Sequence, residues 1–116
     1  MTTLHSFIIS WEGQHQRAGT IADSIESQSD HTTIVYSDPD PLFSFDASRD
    51  ALRRPNDLMF GDKFHACLDH CRSDVLLLIH ADCECETWPE LVQSCRNAFD
   101  GLSDVSLGTL HRLHAL

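Results

Sequence analysis

The sequence predicts an α/β domain, a mostly parallel sheet flanked by helices on both faces. Three observations carry this. Short apolar or β-branched runs alternate with segments whose apolar residues recur at helical spacing. The run Val75-Leu76-Leu77-Leu78-Ile79 is continuously apolar, as a central strand covered on both faces requires. The resulting order, β-α-β-(loop)-α-β-α-β, is the order that right-handed crossovers fold into a parallel sheet. The 116 residues fit a single domain spanning 1–116.

Phe7-Ile8-Ile9 reads as a buried strand, with Glu12-Gly13 opening the loop after it. Ala18, Ile21, Ala22 and Ile25 then mark one face of a helix from about Gln14 to Gln28. Thr32-Thr33-Ile34-Val35-Tyr36 is β-branched and aromatic, hence a second strand, stopped by Pro39 and Pro41. Residues from Pro41 to Pro55 are irregular and read as a loop with a short helical turn around Ala47 to Leu52. Phe60, Phe64, Cys67, Leu68 and Cys71 follow the helical period, predicting a helix from about Met59 to Arg72 ahead of the Val75–Ile79 strand. Thr87 and Glu90 form a T-x-x-E capping box and Pro89 suits the first turn of a third helix. Its stripe is Trp88, Leu91, Val92, Cys95 and Phe99, and Asp100-Gly101 ends it. Val105 to Leu110 reads as a last strand.

Charge narrows the partners. Eighteen acidic residues stand against eight basic ones, a net charge of -10, which repels a phosphate backbone and argues against nucleic acid and anionic membrane. A phosphorylated ligand remains compatible if a cation or helix N-termini screen it. The five cysteines are an odd number grouped in the second half, a poor disulfide framework. The start lacks a basic, apolar leader and no run is long enough for a membrane segment, so the expected location is cytoplasmic.

In parallel sheets ligands bind beyond the carboxyl ends of the strands, where strand order reverses. Acidic residues follow each of the first three predicted strands: Glu12 beside Trp11, then Asp38 and Asp40, then Asp82 and Glu84 after His80. Mg²⁺ and Mn²⁺ are commonly held by one or two carboxylates together with substrate phosphates. Asp82, at the end of Leu78-Ile79-His80-Ala81-Asp82, is the candidate metal ligand; His80 is a second ligand or a phosphate contact. Asp38 has two open readings, an acceptor for a base or ribose and an Asx turn ahead of Pro39.

In these residues the chain resembles glycosyltransferase family 2, of the Rossmann-like GT-A fold. Ser10-Trp11-Glu12-Gly13 is similar to the family's P-x-Y-N-E loop in keeping an aromatic and an acid, without the proline and asparagine. Ser37-Asp38 resembles the acidic pair that ends the family's second strand, with only Asp38 matching. Asn56, Gly61 and Lys63, followed by His80-Ala81-Asp82, resemble the spacing of N-x-G-x-x-x-A-R-N-x-G and the D-A-D metal motif, with His80 in place of the first Asp. The resemblance, over residues 6 to 110, implies the nucleotide-binding half of a truncated GT-A fold. It implies transfer of a sugar from a nucleotide-diphospho-sugar to an acceptor glycan, lipid or protein, with Mn²⁺ or Mg²⁺. Trp11, Glu12, Asp38, Lys63 and His80 would bind the donor and Asp82 the metal. The family takes its catalytic base from a later part of the fold, so no residue here is assigned that role.

Three other readings use the same residues. His65, His70, His80, Cys67, Cys71, Cys83 and Cys85 are zinc-ligand types, without zinc-finger spacing. Cys83 or Cys85 near His80 would suit a nucleophile–base pair. The third is a non-catalytic binding or interaction module with a GT-A-like half-fold, favoured by the His80 departure.

Overall fold

The structure, a computed structural model, describes residues 3–38, 49–55 and 60–100; Asp38, Arg54, Pro55 and Phe60 are described by their backbone alone. Four strands, β1 (Leu4–Ser10), β2 (His31–Asp38), β3 (Ala51–Pro55) and β4 (Val75–His80), form one sheet of order β3-β2-β1-β4. Every pairing is parallel. The helices are α1 (His15–Ile25), α2 (Phe60–His70) and α3 (Trp88–Phe99), and a single 3₁₀ turn, Glu26–Gln28, follows α1. The α/β class and the parallel sheet flanked by helices are therefore as the sequence predicts, and compatible with a Rossmann-like fold.

Alternation along the strands splits the core in two. Leu4, Ile8, Ile34, Tyr36, Val75, Leu77 and Ile79 face α1 and α3, meeting Ala18, Ile21, Ala22, Ile25, Trp88, Val92, Cys95 and Phe99. Phe7, Ile9, Val35 and Leu76 point the other way, onto Cys67, with Leu52, Phe64, Cys71 and Leu78 at the margin. The swap of faces follows from topology. The path from β1 to β2 runs one way along the sheet, and the path from β3 to β4 runs back across β2 and β1. A crossover of constant hand then places α1 and α2 on opposite faces. β1 and β4 are the neighbours at which the direction reverses.

Several expectations are corrected. The segment read as a loop with a helical turn contains β3, whose Leu52 is half-buried while Ala51 and Arg53 are exposed. An edge strand with one inward apolar residue lacks the alternating signature of a strand, and Arg53 is suited to a rim facing water. The first strand is longer than Phe7–Ile9, because hydrogen bonding to β2 and β4 recruits Leu4, His5, Ser6 and Ser10. Thr87 is the N-cap of α3 but makes no side-chain capping bond, so the predicted capping box is not formed. Leu68, on the predicted stripe of α2, is 45% exposed, since α2 rests on the smaller core through Cys67 and Phe64. The predicted strand Val105 to Leu110 lies outside the described residues. No helix among the described residues is long and apolar enough to cross a membrane.

Candidate functional site

The two ends of the sheet differ. The end where strands begin is laced by polar contacts around a cavity of about 270 Å³ lined by Asp30, His31, Arg49, Asp50 and Arg72. Asp30 accepts from the Leu4 amide at 2.7 Å and from Arg96 at 2.9 Å. The Leu4 amide is the largest of the effects that hold the Asp30 carboxyl below its ordinary range, against the upward push of burial. Asp74 and Thr3 exchange bonds through amides and side chains.

A relay that starts at buried His5 and ends at the partly exposed Asp50, His70 and Arg72 joins β1, β2 and the turns flanking β3 and β4. The Arg72 amide donates to His5 Nδ1 at 3.1 Å, which leaves the proton on Nε2 to be donated to Thr33 Oγ1 at 2.7 Å. Thr33 donates in turn to Asp50 Oδ2, which also accepts from His70 and Arg72 at 3.0 and 3.1 Å. His5 is fully buried and stacked on Phe7. Burial, followed by the charges of His31, Arg72 and His70 and opposed only by Asp50, pushes its pKa down to about 4. Burial raises the Asp50 carboxyl, but the bonds from Thr33 and His70 and the charges of His70 and Arg72 outweigh it and leave it below its ordinary range.

At the opposite end, where strands finish, the predicted site residues gather. The Ala81 amide donates to the Ile9 carbonyl at 2.9 Å, which carries the β1–β4 pairing one residue past β4. Asp82 is the next residue and is exposed. From the register, Ser10 lies level with Tyr36 and Ala81, so Asp38 stands two residues beyond that level and Asp82 one. Their backbones flank β1 at one rim, separated across the sheet by about 10 Å at two strand spacings. Between them the β1–α1 turn presents Trp11, half-buried, and Glu12, exposed. Gly13 closes that turn at φ 88°, a left-handed conformation that favours glycine. The His80 ring meets Trp11 edge-on at 6.5 Å. Lys63 reaches the same end of the sheet from α2 and donates to Ser37 Oγ at 2.6 Å.

Sequence reasoning overlooked the supports of this rim. Ser10 Oγ and His15 Nδ1 lie 2.6 Å apart in the core, and His15 meets Tyr36 edge-on at 4.9 Å. Arg17 donates to the Asp82 carbonyl at 3.4 Å and to Glu84 at 3.5 Å, tying α1 to the β4–α3 loop. The position of Arg17 one helical turn before Ile21 was legible, but its partner 65 residues away was not. Of the other predicted members, Asn56 and Asp40 lie outside the described residues.

The zinc reading meets a geometric obstacle. Cys67 and Cys71 pack on one face of the sheet, Cys83 and Cys85 on the other, so the two pairs do not converge on one ion. Among the described residues, no three His, Cys, Asp or Glu side chains are grouped to hold a metal. Asp82 is a single exposed carboxylate, which suits a hard cation that brings water and phosphate oxygens as its other ligands. No protein-family model, curated protein or solved structure matches the chain.

Proposed function

We propose that this chain is the nucleotide-binding portion of a glycosyltransferase of the GT-A type, using a nucleotide-diphospho-sugar donor and Mn²⁺ or Mg²⁺. The reading rests on one observation. Trp11 and Glu12, Asp38, Lys63, His80 and Asp82 all belong to the rim where the parallel strands end, the end at which ligands of such sheets bind. In this reading Asp38 accepts from ribose or base, Trp11 and Glu12 border the sugar-nucleotide, and Lys63 and His80 face the diphosphate. Asp82 is the chain's contribution to the cation site, whose chemistry is to offset charge on the departing nucleoside diphosphate. The acceptor would be a glycan, lipid or protein hydroxyl.

Titration calorimetry with UDP and GDP, with and without MnCl₂, tests the proposal. Binding should require Mn²⁺, and Asp82→Asn should weaken it at least about tenfold, a loss of about 1.4 kcal/mol. A second reading, a non-catalytic interaction module, is favoured by His80 standing where the family resemblance has an aspartate. Absence of binding by either nucleotide, with or without Mn²⁺, supports that reading and overturns the first.

A further inference from the structure

We propose that Cys83 and Cys85 are a reversible dithiol–disulfide pair that resets the loop carrying Asp82. The five cysteines have distinct surroundings. Cys67 and Cys95 are fully buried, and Cys71 lies on the opposite face of the sheet, its thiol donating to the Ser73 carbonyl. Cys83 and Cys85 are half-buried and line one cavity of about 360 Å³, walled by Arg17 and Thr20 of α1 and by Trp88 of α3. An open cavity gives an external thiol or disulfide access to both sulfurs, which exchange chemistry requires.

Chain geometry brings them within reach of each other. Residues two apart have Cα atoms no more than about 7 Å from one another. A disulfide takes Cα separations of about 4.4–6.8 Å. Residues 83–85 belong to neither a helix nor a strand, and the Cys83 amide is anchored by a single bond to the His80 carbonyl at 3.0 Å. The loop can therefore turn to suit the S–S torsion without breaking a ladder.

The oxidant is a low-molecular-weight disulfide such as oxidised glutathione. One protein thiolate attacks it, forming a mixed disulfide and releasing one glutathione thiolate. The second protein thiolate then attacks the protein sulfur of that mixed disulfide and releases the second. Two protein thiols are oxidised, one glutathione disulfide becomes two thiols, and the two protons end on glutathione. Closing so short a ring is strained, which places the bond in the labile, readily reduced class.

The structural consequence falls on Glu84, held between the two sulfurs. Its ion pair with Arg17 is long, 3.5 Å, and 87% of its side chain is exposed. Arg17 holds the Asp82 carbonyl at a similarly long 3.4 Å. Ring closure re-aims Glu84, so the Arg17–Glu84 pair, which helps to tie α1 to the Asp82 loop, is the first to open.

The test is to equilibrate the folded protein in glutathione buffers of increasing oxidised fraction, quench, denature, alkylate and weigh it. Three labels in place of five, with Cys83 and Cys85 joined in one peptide, are expected. The bond should be absent in Cys83→Ser and Cys85→Ser and retained in Cys71→Ser. Amide exchange across residues 80–87 should differ between the reduced and oxidised forms. Five labels in the most oxidising buffer, a linkage through another cysteine, a stable glutathione adduct in place of the ring, or unchanged exchange would each overturn the proposal.

Discussion

Acid should destabilise this protein in a window set by one buried histidine. His5 titrates at about 4 in the folded chain against 6.5 when unfolded. Between those values the unfolded chain binds the extra proton and the folded chain does not. The stability from neutral His5 is thus complete above pH 6.5, declines as pH falls toward 4, and is exhausted below that. Moving the pKa from 6.5 to about 4, at about 1.4 kcal/mol for each pH unit, amounts to ~3.5 kcal/mol. Against a total of roughly 5–15 kcal/mol for a domain, that is a large fraction.

The geometry explains the sign. The Arg72 amide already points its hydrogen at Nδ1, so a second proton there meets a donor, within a shell containing His31, His70 and Arg72. Urea denaturation followed by circular dichroism at pH 7, 6, 5 and 4 measures the effect. The midpoint should fall by on the order of 1–3 M urea across the series. His5→Gln, which supplies an amide donor and an acceptor but cannot titrate, should be less stable at pH 7 and lack most of that slope. A wild-type midpoint that stays flat from pH 7 to 4, or a His5→Gln slope equal to that of wild type, would refute the reasoning. Asp50, whose carboxyl is depressed, acts in a separate window, with its contribution lost only as pH falls below about 4.

Ile8, fully buried at the centre of the larger core, should lose about 2–5 kcal/mol of unfolding free energy on replacement by alanine, read by the same denaturation. Gly13→Ala should cost about 1–2 kcal/mol from backbone strain alone, because its φ is 88° and nothing crowds an added Cβ; Gly13→Asn should cost less. Thr87→Ala should cost no more than a few tenths of a kcal/mol, against the ~1 kcal/mol of a working N-cap, since its hydroxyl caps no amide.

The candidate rim was legible in the sequence because strand ends are. Apolar runs mark where β1 and β4 stop, and the prolines at 39 and 41 mark where β2 stops, so the residues after them fall at one edge of any parallel sheet. Lys63 was named only through the family resemblance, and its bond to Ser37 joins α2 to β2 and is written in neither segment. The relay of His5, Thr33 and Asp50 was missed for the same reason. Each looks ordinary in its own segment, and only the pairing of β1 with β2 brings the first two together.

By itself, then, the sequence determined the periodicities: which segments are apolar enough for covered strands, which helices carry an apolar stripe, and which loops bear carboxylates. These are local properties, fixed by the spacing of side chains along a chain of known pitch. Only the tertiary structure decided the strand order, the sorting of α1 and α3 from α2 onto opposite faces, and the recruitment of residues 51–55 as an edge strand. It also left Thr87 without a capping bond. Those outcomes depend on hydrogen bonds and packing between segments far apart in the chain, whose energies no single segment contains.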